Sequence, residues 1–296
     1  MYPSAIQNYE APDSVDGAMA AIAKFGDDAH FIAGGQSLMQ AIKSRIIQPE
    51  TLVDLQNVDE LRSLEMAQGV TIGAMVRYRD IAANAGLDGR LGALRDAASH
   101  VGDRQVRSRG TIGGSLCWNF VSACMPTVTL ALDPRLTLGS EARGRREVGI
   151  RDFLGEPMET DRQEDELLIS IFFPEAAGRH GSAYGKWSLL TDGLPVIGVC
   201  AAVSLDDDNK CTSARVSVGG LETGPVRFKR AEEELLGAGF DDLKSHEGAI
   251  SAAAEEAEIF DDITGDAEFR RQLIRSVGLK SIVKAFERAA AAGADQ

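Results

Sequence analysis

The sequence predicts an α/β N-terminal region followed by a smaller α+β C-terminal region, with a boundary near residue 176 of the 296. Two observations support this order. Segments typical of strands and of helices alternate through the first part of the chain, and three strand segments then follow one another before a helical end. A chain of this length also suggests two domains.

The N-terminal stretch predicts a β-αβ-αβ unit of about 55 residues. Ser14 is placed to cap the first helix, and Pro49 ends the second because proline has no backbone N–H to donate. The predicted elements are the helix Ser14–Lys24, the strand His30–Ala33, the helix Leu38–Ile46 and the strand Thr51–Leu55.

A second unit begins near Asn57 and ends at Pro174, which closes its last strand. We predict that the polar stretch Gly102–Ser115 is a glycine-bearing connector, of the kind that often carries function. The predicted elements are the strand Val70–Gly73, the helices Tyr78–Ala85 and Arg90–His100, a helix end and strand within Leu130–Leu138, and the strand Leu167–Phe173.

The C-terminal region changes character, with strands first and helices afterwards. Asp206–Asn209 is predicted to be a solvated hairpin tip, because it lacks the 12-residue ligand pattern of a calcium loop. The predicted strands are Ala183–Leu189, Val196–Leu205 and Cys211–Val218, and the predicted helices are Ala231–Leu236, Glu247–Ala257 and Ala267–Ala291.

Charge and hydropathy exclude several classes of protein. The chain has 31 Lys and Arg against 45 Asp and Glu, a formal net charge of −14, which argues against a general nucleic-acid or anionic-membrane binder. Met1–Glu10 predicts no signal peptide. The apolar stretch around Pro195–Leu205 is far shorter than the ~18 residues that a membrane span needs.

The cysteines and histidines are scattered. Cys117, Cys124, Cys200 and Cys211 fit neither zinc knuckles nor an iron–sulfur ligand run, so we expect reduced, mostly buried thiols of a cytoplasmic protein. The four histidines include no HExxH motif, and a histidine metal site or a Ser-His-Asp triad has no support.

The first glycine segment is Ala33-Gly34-Gly35-Gln36-Ser37, between a predicted strand and a predicted helix. Paired glycines allow positive φ and let a ligand approach without a Cβ in the way. Successive N–H groups before a helix suit a pyrophosphate, and Ser37 adds a hydroxyl donor. The pattern matches neither a Rossmann nor a Walker motif. For this segment alone, a plain glycine turn stays open.

The second glycine segment is Arg107-Ser108-Arg109-Gly110-Thr111-Ile112-Gly113-Gly114-Ser115. Arginine can neutralise phosphate, and the hydroxyls of Thr111 and Ser115 can donate hydrogen bonds. The alternative is a surface loop with solvated arginines. Two such segments in one chain favour a clamp on the diphosphate of a dinucleotide cofactor, held without a Rossmann fold.

Both segments resemble the FAD-binding signatures of the medium subunit of molybdenum hydroxylases. This family includes the carbon monoxide dehydrogenase flavoprotein and the xanthine dehydrogenase flavin domain. The resemblance continues in order along nearly the whole chain. The matching stretches are Ala33–Leu38, Thr71–Ala74 with Tyr78 and Asp80-Ile81, Thr111–Ser115, Tyr184–Lys186 with Asp192, and Asp262–Gly265 with Phe269–Arg271.

The resemblance implies an α+β fold: two α/β FAD-binding subdomains of the PCMH type, then a C-terminal domain with a three-stranded antiparallel sheet and helices. The implied boundaries are 1–176 for the FAD-binding domain, with subdomains of about 1–56 and 57–176, and 177–296 for the C-terminal flavoprotein domain. The implied FAD-binding residues are Ile32, Ala33, Gly34, Gly35, Gln36, Ser37, Leu38, Val101, Thr111, Ile112, Gly113, Gly114, Ser115, Cys124, Leu168 and Lys186.

Three of these residues have an implied role at the flavin ring. Val101 would line the flavin pocket, Leu168 would make an apolar contact, and Lys186 would stabilise negative charge on the reduced flavin, which raises its redox potential. Plain core packing is the alternative for Leu168, and a solvated strand lysine is the alternative for Lys186.

The chain departs from the family at two places. Cys124 stands where relatives carry a carboxylate near the cofactor, and Phe120-Val121 replaces their Asp-Pro. Leu194 stands where relatives often carry an aromatic that shields the flavin. We expect FAD binding to persist, with an affinity and a redox potential that differ from those of relatives.

The resemblance implies an oxidoreductase component that has no catalytic acid, base or metal ligand of its own. FAD would take electrons from [2Fe-2S] clusters on a small partner subunit and pass them to an external acceptor. The molybdenum cofactor would lie on a large partner subunit, in a dimer of heterotrimers located in the cytoplasm. The alternatives are a stand-alone FAD-dependent oxidase or reductase, and a cofactor-free scaffold, against which the paired glycine segments argue.

Overall fold

The strands and helices of the computed structural model are described for residues 6–176 and 178–292. The strands are β1 (Asn8–Glu10), β2 (Ala29–Ile32), β3 (Thr51–Asp54), β4 (Leu64–Ala67), β5 (Gly69–Gly73), β6 (Arg135–Ser140), β7 (Gly144–Gly149), β8 (Leu167–Pro174), β9 (Arg179–Trp187), β10 (Ile197–Leu205), β11 (Cys211–Gly219) and β12 (Val226–Arg227). The helices are α1 (Val15–Phe25), α2 (Leu38–Lys43), α3 (Tyr78–Ala83), α4 (Gly92–His100), α5 (Arg104–Arg109), α6 (Ile112–Trp118), α7 (Cys124–Leu132), α8 (Ile150–Phe153), α9 (Lys229–Glu234), α10 (Leu243–Glu256) and α11 (Ala267–Ala291).

The N-terminal unit is a parallel sheet with strand order β1-β3-β2. Parallel neighbours need a crossover, and α1 and α2 provide it. Ser14 caps α1 as predicted, because its hydroxyl accepts a hydrogen bond from the Gly17 N–H at 3.2 Å. The predicted β-αβ-αβ unit is confirmed, and β1 supplies the strand that the sequence pattern did not locate.

The second unit is a five-stranded antiparallel sheet with strand order β4-β5-β8-β6-β7. Helices α3, α4, α6 and α7 share one core with it. Ile72, Leu136 and Ile171 lie in that core with no exposed surface. Strands β4 and β7 were missed from the sequence because both are mostly exposed and lack a clear alternation of apolar and polar residues.

The third unit is an antiparallel sheet with strand order β12-β11-β10-β9. Its three long strands are the predicted ones, and the two-residue β12 adds a fourth at the edge. Helices α4 and α7 contact this sheet, and α11 lies along β9 and β10. The mixed fold class implied by the family is confirmed, with one additional short strand.

The predicted connector Gly102–Ser115 is wrong as a loop, because it contains α5 and the start of α6. Asp103 caps α5 by accepting from the Val106 N–H at 2.8 Å, and Thr111 caps α6 by accepting from the Gly114 N–H at 3.2 Å. Each cap satisfies an N–H that the first turn of a helix otherwise leaves unpaired. The sequence pattern did not predict these two short helices because their polar composition resembles that of a loop.

Candidate functional site

The first glycine segment, residues 32–38, leaves the end of β2 and enters α2. Gly35 has a φ of +70°, a left-handed conformation that favours glycine. Gln36 and Ser37 are exposed, whereas Ile32, Ala33 and Leu38 are half-buried. The segment therefore presents its polar side chains to solvent while its apolar ones pack inward.

The second glycine segment, Arg107–Ser115, covers the end of α5 and the start of α6, and its last five residues provide the cap and the first turn of α6. The Gly113 N–H donates to the Ala74 carbonyl at 2.9 Å, and the Ile112 N–H donates to the Val76 carbonyl at 3.1 Å. Thr111, Ile112 and Gly113 are buried, whereas Gly114 is exposed and Ser115 is half-buried. Of the residues Thr111–Ser115, only Gly114 and Ser115 have surface that a ligand could contact.

The two glycine segments touch each other. A Cβ on Gly34 would collide with the Arg109 carbonyl and lie 2.9 Å from the Gly110 Cα. A Cβ on Gly114 would lie 3.6 Å from the Ala33 Cβ. The structure thus brings together the two segments that the sequence pattern suggested as a clamp.

Tyr78 is a supporting residue that sequence reasoning did not place in the site. Its N–H donates to the Gly110 carbonyl at 3.0 Å, and a Cβ on Gly110 would lie 2.6 Å from its ring. Its hydroxyl interacts with Ser115, and burial raises the pKa of Tyr78. The available signal was a tyrosine directly after a strand in a family signature, which does not reveal this contact.

The two arginines before the second segment have different surroundings. Arg107 donates to the carbonyls of Val101 and Gly102 at 3.1 and 2.6 Å, so it stabilises the turn between α4 and α5. Arg109 is exposed and donates to the Gln56 side chain at 3.4 Å. Of the two, Arg109 is the one placed to reach a phosphate beside the glycine segments.

The remaining predicted contacts come from four different elements. Val101 follows α4 and is half-buried, and Lys186 is a half-buried residue of β9. Cys124 begins α7 and is 5% exposed. Leu168 on β8 is 2% exposed and belongs to the main core, so little of its surface is left for a cofactor.

Lys186 carries the positive charge among these four predicted contacts. Its ammonium donates to the Gly193 carbonyl at 2.7 Å, and burial lowers its pKa. Burial and then the charge of Lys186 lower the pKa of His100. Burial raises the pKa of the Cys124 thiol, which therefore stays protonated at neutral pH. The arrangement holds one cation where it can stabilise negative charge on a bound ring.

These residues fit FAD. Gly34 lets the two glycine segments meet backbone to backbone, and Gly114, Arg109 and Ser37 are exposed residues of these segments. Such groups suit the charge of a diphosphate. The half-buried Lys186 suits a ring that becomes more negative on reduction.

Metal and membrane features are absent from the part of the chain that the structure describes. Over residues 6–176 and 178–292, no three or more His, Cys, Asp or Glu side chains group as metal ligands would. Within the same ranges, no helix combines the length and the apolar character of a membrane span. The four cysteines are free, and three of them are buried.

Comparison with protein families covers most of the chain. Residues 4–176 match the FAD binding domain in molybdopterin dehydrogenase, and residues 183–285 match the CO dehydrogenase flavoprotein C-terminal domain. Both matches run in the order in which the units occur in the fold.

Individual relatives match over nearly their full length. The chain is 32% identical to the 6-hydroxypseudooxynicotine dehydrogenase complex subunit alpha of Paenarthrobacter nicotinovorans, over 95% of each chain. It is 31% identical to the carbon monoxide dehydrogenase medium chain of Hydrogenophaga pseudoflava, over 95% of this chain and 98% of that one.

Solved structures agree. A carbon monoxide dehydrogenase structure from Hydrogenophaga pseudoflava superimposes with a TM-score of 0.89 at 30% identity, over 97% of this chain and 99% of that chain. Quinoline 2-oxidoreductase from Pseudomonas putida 86 gives a TM-score of 0.89 at 29% identity, over 98% and 99%. The chain therefore belongs to the family of FAD-binding medium subunits of molybdenum hydroxylases, and it is a flavoprotein component of an oxidoreductase.

Proposed function

We propose that this chain is an electron-transfer subunit whose FAD receives electrons from [2Fe-2S] clusters on a small partner subunit and passes them to an external acceptor. In this proposal a large molybdopterin-binding subunit oxidises the substrate. The three chains form a dimer of heterotrimers in the cytoplasm. The observation that carries the proposal is the contact between the two glycine segments, at Gly34 and the Arg109 carbonyl.

We propose a division of labour that follows the units of the fold. The FAD-binding domain covers residues 1–176, with subdomains of about 1–56 and 57–176, and the C-terminal flavoprotein domain covers residues 177–296. The separate sheets on either side of residue 177 support this division. The first subdomain contributes residues 32–38, the second contributes Thr111–Ser115, and the C-terminal domain contributes Lys186.

Each part of the chain has a distinct task in this proposal. The glycine segments hold the diphosphate, and Arg109 offsets part of its charge. The ammonium of Lys186, oriented by the Gly193 carbonyl, stabilises the more negative, reduced state of the ring. Bound FAD supplies the ability to accept electrons one at a time and to release them in pairs.

Two observations support partner subunits. The four free cysteines do not group as cluster ligands within the described ranges, so any iron–sulfur cluster of such a complex lies on another chain. The relatives are named as subunits or chains of dehydrogenases for different compounds, including nicotine 6-hydroxylase and caffeine dehydrogenase. That diversity fits a chain that serves electron transfer while another subunit selects the substrate.

Purification of the chain followed by reconstitution with FAD tests this function. We expect flavin absorption bands in the protein, and we expect Gly114→Val to lose them because its Cβ would lie 2.9 Å from the Thr111 hydroxyl and 3.6 Å from the Ala33 Cβ, where the two glycine segments meet. Gly248→Val is the control, since a Cβ on that helical glycine would lie 3.9 Å from the carboxylate of Glu234, its nearest neighbour outside the helix.

Two results would contradict the proposal. Wild-type flavin content in Gly114→Val would refute the assignment of the clamp. Turnover of an organic substrate by the flavin-loaded chain alone would favour the stand-alone oxidase or reductase instead.

A further inference from the structure

Asp96 on α4 bonds to both β9 and α11 through one largely buried carboxylate. Its Oδ2 accepts from the Tyr184 backbone N–H at 3.1 Å and from Arg288 Nη1 at 2.6 Å. Its Oδ1 accepts from Lys284 Nζ at 2.8 Å and from Arg288 Nη2 at 3.0 Å. Because Tyr184 lies on β9 and the two cations lie on α11, one carboxylate joins three elements.

Ser182 makes a second link between the same elements. Its hydroxyl donates to the Arg90 carbonyl at 2.7 Å and accepts from the Ala93 N–H at 3.0 Å. Its own carbonyl accepts from Arg288 Nη1 at 2.6 Å. Strand β9 is therefore bonded to α4 and to the turn before it at two places, through the Ser182 hydroxyl and through the Tyr184 backbone N–H.

Strand alternation connects these links to Lys186. Ser182, Tyr184 and Lys186 share one face of β9, since successive side chains of a strand point to opposite faces. Ser182 places that face against α4. The opposite face lies against α11, where a Cβ on Gly185 would be 3.0 Å from the Ser281 hydroxyl. Asp96 holds the β9 backbone at Tyr184. It therefore fixes the position from which the Lys186 side chain extends, two residues further along the strand.

The charges of this cluster are balanced by contact. Burial opposes the charged form of Asp96, but the hydrogen bonds from Arg288 and Lys284 outweigh it and hold the pKa of the carboxyl below its usual range. Removing the carboxylate would leave the largely buried guanidinium of Arg288 without its charged partner, which is costly where a side chain is shielded from water, whereas the half-exposed Lys284 can be solvated. Replacing Asp96 therefore disturbs the strand as well as one hydrogen bond.

We infer that Asp96 is a positioning residue: it holds β9 against α4 so that the ammonium of Lys186 stays beside the flavin and keeps its redox potential high. The inference rests on the proposed function, because that function places Lys186 next to the cofactor. Asp96 itself acts through Lys186 and not by touching the ring.

The test uses the full chain loaded with FAD and compares Asp96→Asn, Lys186→Met and the double variant. Asparagine keeps the shape, but its single oxygen replaces only one of the two acceptors, Oδ1 and Oδ2, and it lacks the charge that pairs with Arg288 and Lys284, so it cannot keep the whole set of bonds that includes the Tyr184 N–H. We expect Asp96→Asn to lower the affinity for reduced relative to oxidised flavin about tenfold, a fall of roughly 30 mV in two-electron potential. The double variant should match Lys186→Met, because the effect passes through that lysine.

Glu232→Gln is the matched control. The Glu232 carboxylate also accepts from a strand N–H, that of Val216 at 3.1 Å, and from an arginine, Arg227 Nε at 2.8 Å. Its loss should lower the melting temperature and leave the flavin potential unchanged. Asp96→Glu should restore part of the potential that Asp96→Asn loses.

Several outcomes would overturn the inference. An unchanged potential in Asp96→Asn, or additive shifts in the double variant, would show that Asp96 does not act through Lys186. If Asp96→Asn fails to fold, Asp96→Glu replaces it, because it keeps the charge but moves the carboxylate relative to the Tyr184 N–H, and an unchanged potential there has the same meaning. Failure of the wild-type chain to bind FAD would instead refute the proposed function.

Discussion

The two sides of the candidate site are built by different means. On the glycine side, backbone meets backbone, as where Gly34 lies against the Arg109 carbonyl. On the lysine side, long side chains set the geometry, as where Lys284 and Arg288 meet Asp96. The first side tolerates no added atom, whereas the second tolerates a change of shape but not a change of charge.

The largest expected effect is on the glycine side. Gly34→Val should raise the dissociation constant of FAD at least about 100-fold, or about 2.7 kcal/mol, because the side chain forces the two glycine segments apart. Flavin fluorescence titration measures this. Gly155→Val is the control, since a Cβ there lies 3.4 Å from its nearest neighbour, the Glu159 carbonyl. If Gly34→Val and Gly155→Val bound FAD with equal affinity, the glycine side of the site would not be especially sensitive to an added side chain.

A smaller effect is the loss of stability at acid pH. It acts through the packing of α10 against α11, the helix that carries Lys284 and Arg288. His246 on α10 has no exposed surface, and its ring centroid lies 4.5 Å from that of Phe286 on α11. Burial lowers the pKa of His246, so the folded chain keeps the ring neutral. Below about pH 6.5 the unfolded chain gains a proton that the folded chain does not, so stability falls as pH falls, until the folded pKa is reached.

The loss is at most about 1.4 kcal/mol per pH unit for this one residue. His246→Phe should remove it, which urea unfolding of both proteins at about pH 7 and about pH 5 would measure. Hydrogen exchange should show α10 and α11 loosening before α6 in the wild-type chain. A wild-type slope in His246→Phe would mean that acid acts elsewhere.

The smallest effect separates folding from binding on the glycine side. Thr111→Ala and Ser14→Ala each delete a cap hydrogen bond of 3.2 Å, so each should cost about 1 kcal/mol of stability. Only Thr111→Ala should also weaken FAD binding, by a few-fold, because the lost cap orders the turn that holds Gly114 within the clamp. Thermal unfolding with flavin titration of both variants distinguishes the two effects. Equal losses of FAD affinity would contradict the assignment.

Local sequence predicted the long elements well, and its errors have local causes. Ala267–Ala291 was predicted with the bounds that the structure has, because its helical pattern is long. Gly102–Ser115 was predicted as a connector because short capped helices resemble polar loops in composition. The exposed β4 and β7 carry little periodic signal, so pairing with their neighbours decides them.

The candidate site also contains features that were evident from the local sequence and features that were not. The glycine segments were evident because glycine pairs before helices signal a close approach of backbone and ligand. Tyr78 and Asp96 were not evident, since each acts through a partner that is distant in sequence, Gly110 for the first and Tyr184 for the second. The FAD contacts predicted for both glycine segments and for Val101, Cys124, Leu168 and Lys186 stay predictions.

The sequence by itself determined the family, the order of the units and the two glycine segments, because these depend on residue type and on spacing along the chain. Tertiary structure alone decided that Gly34 touches the Arg109 backbone and that Asp96 joins α4 to β9 and α11. Such contacts form between residues far apart in the chain, and their energies depend on distance, burial and charge, which only the packed fold defines.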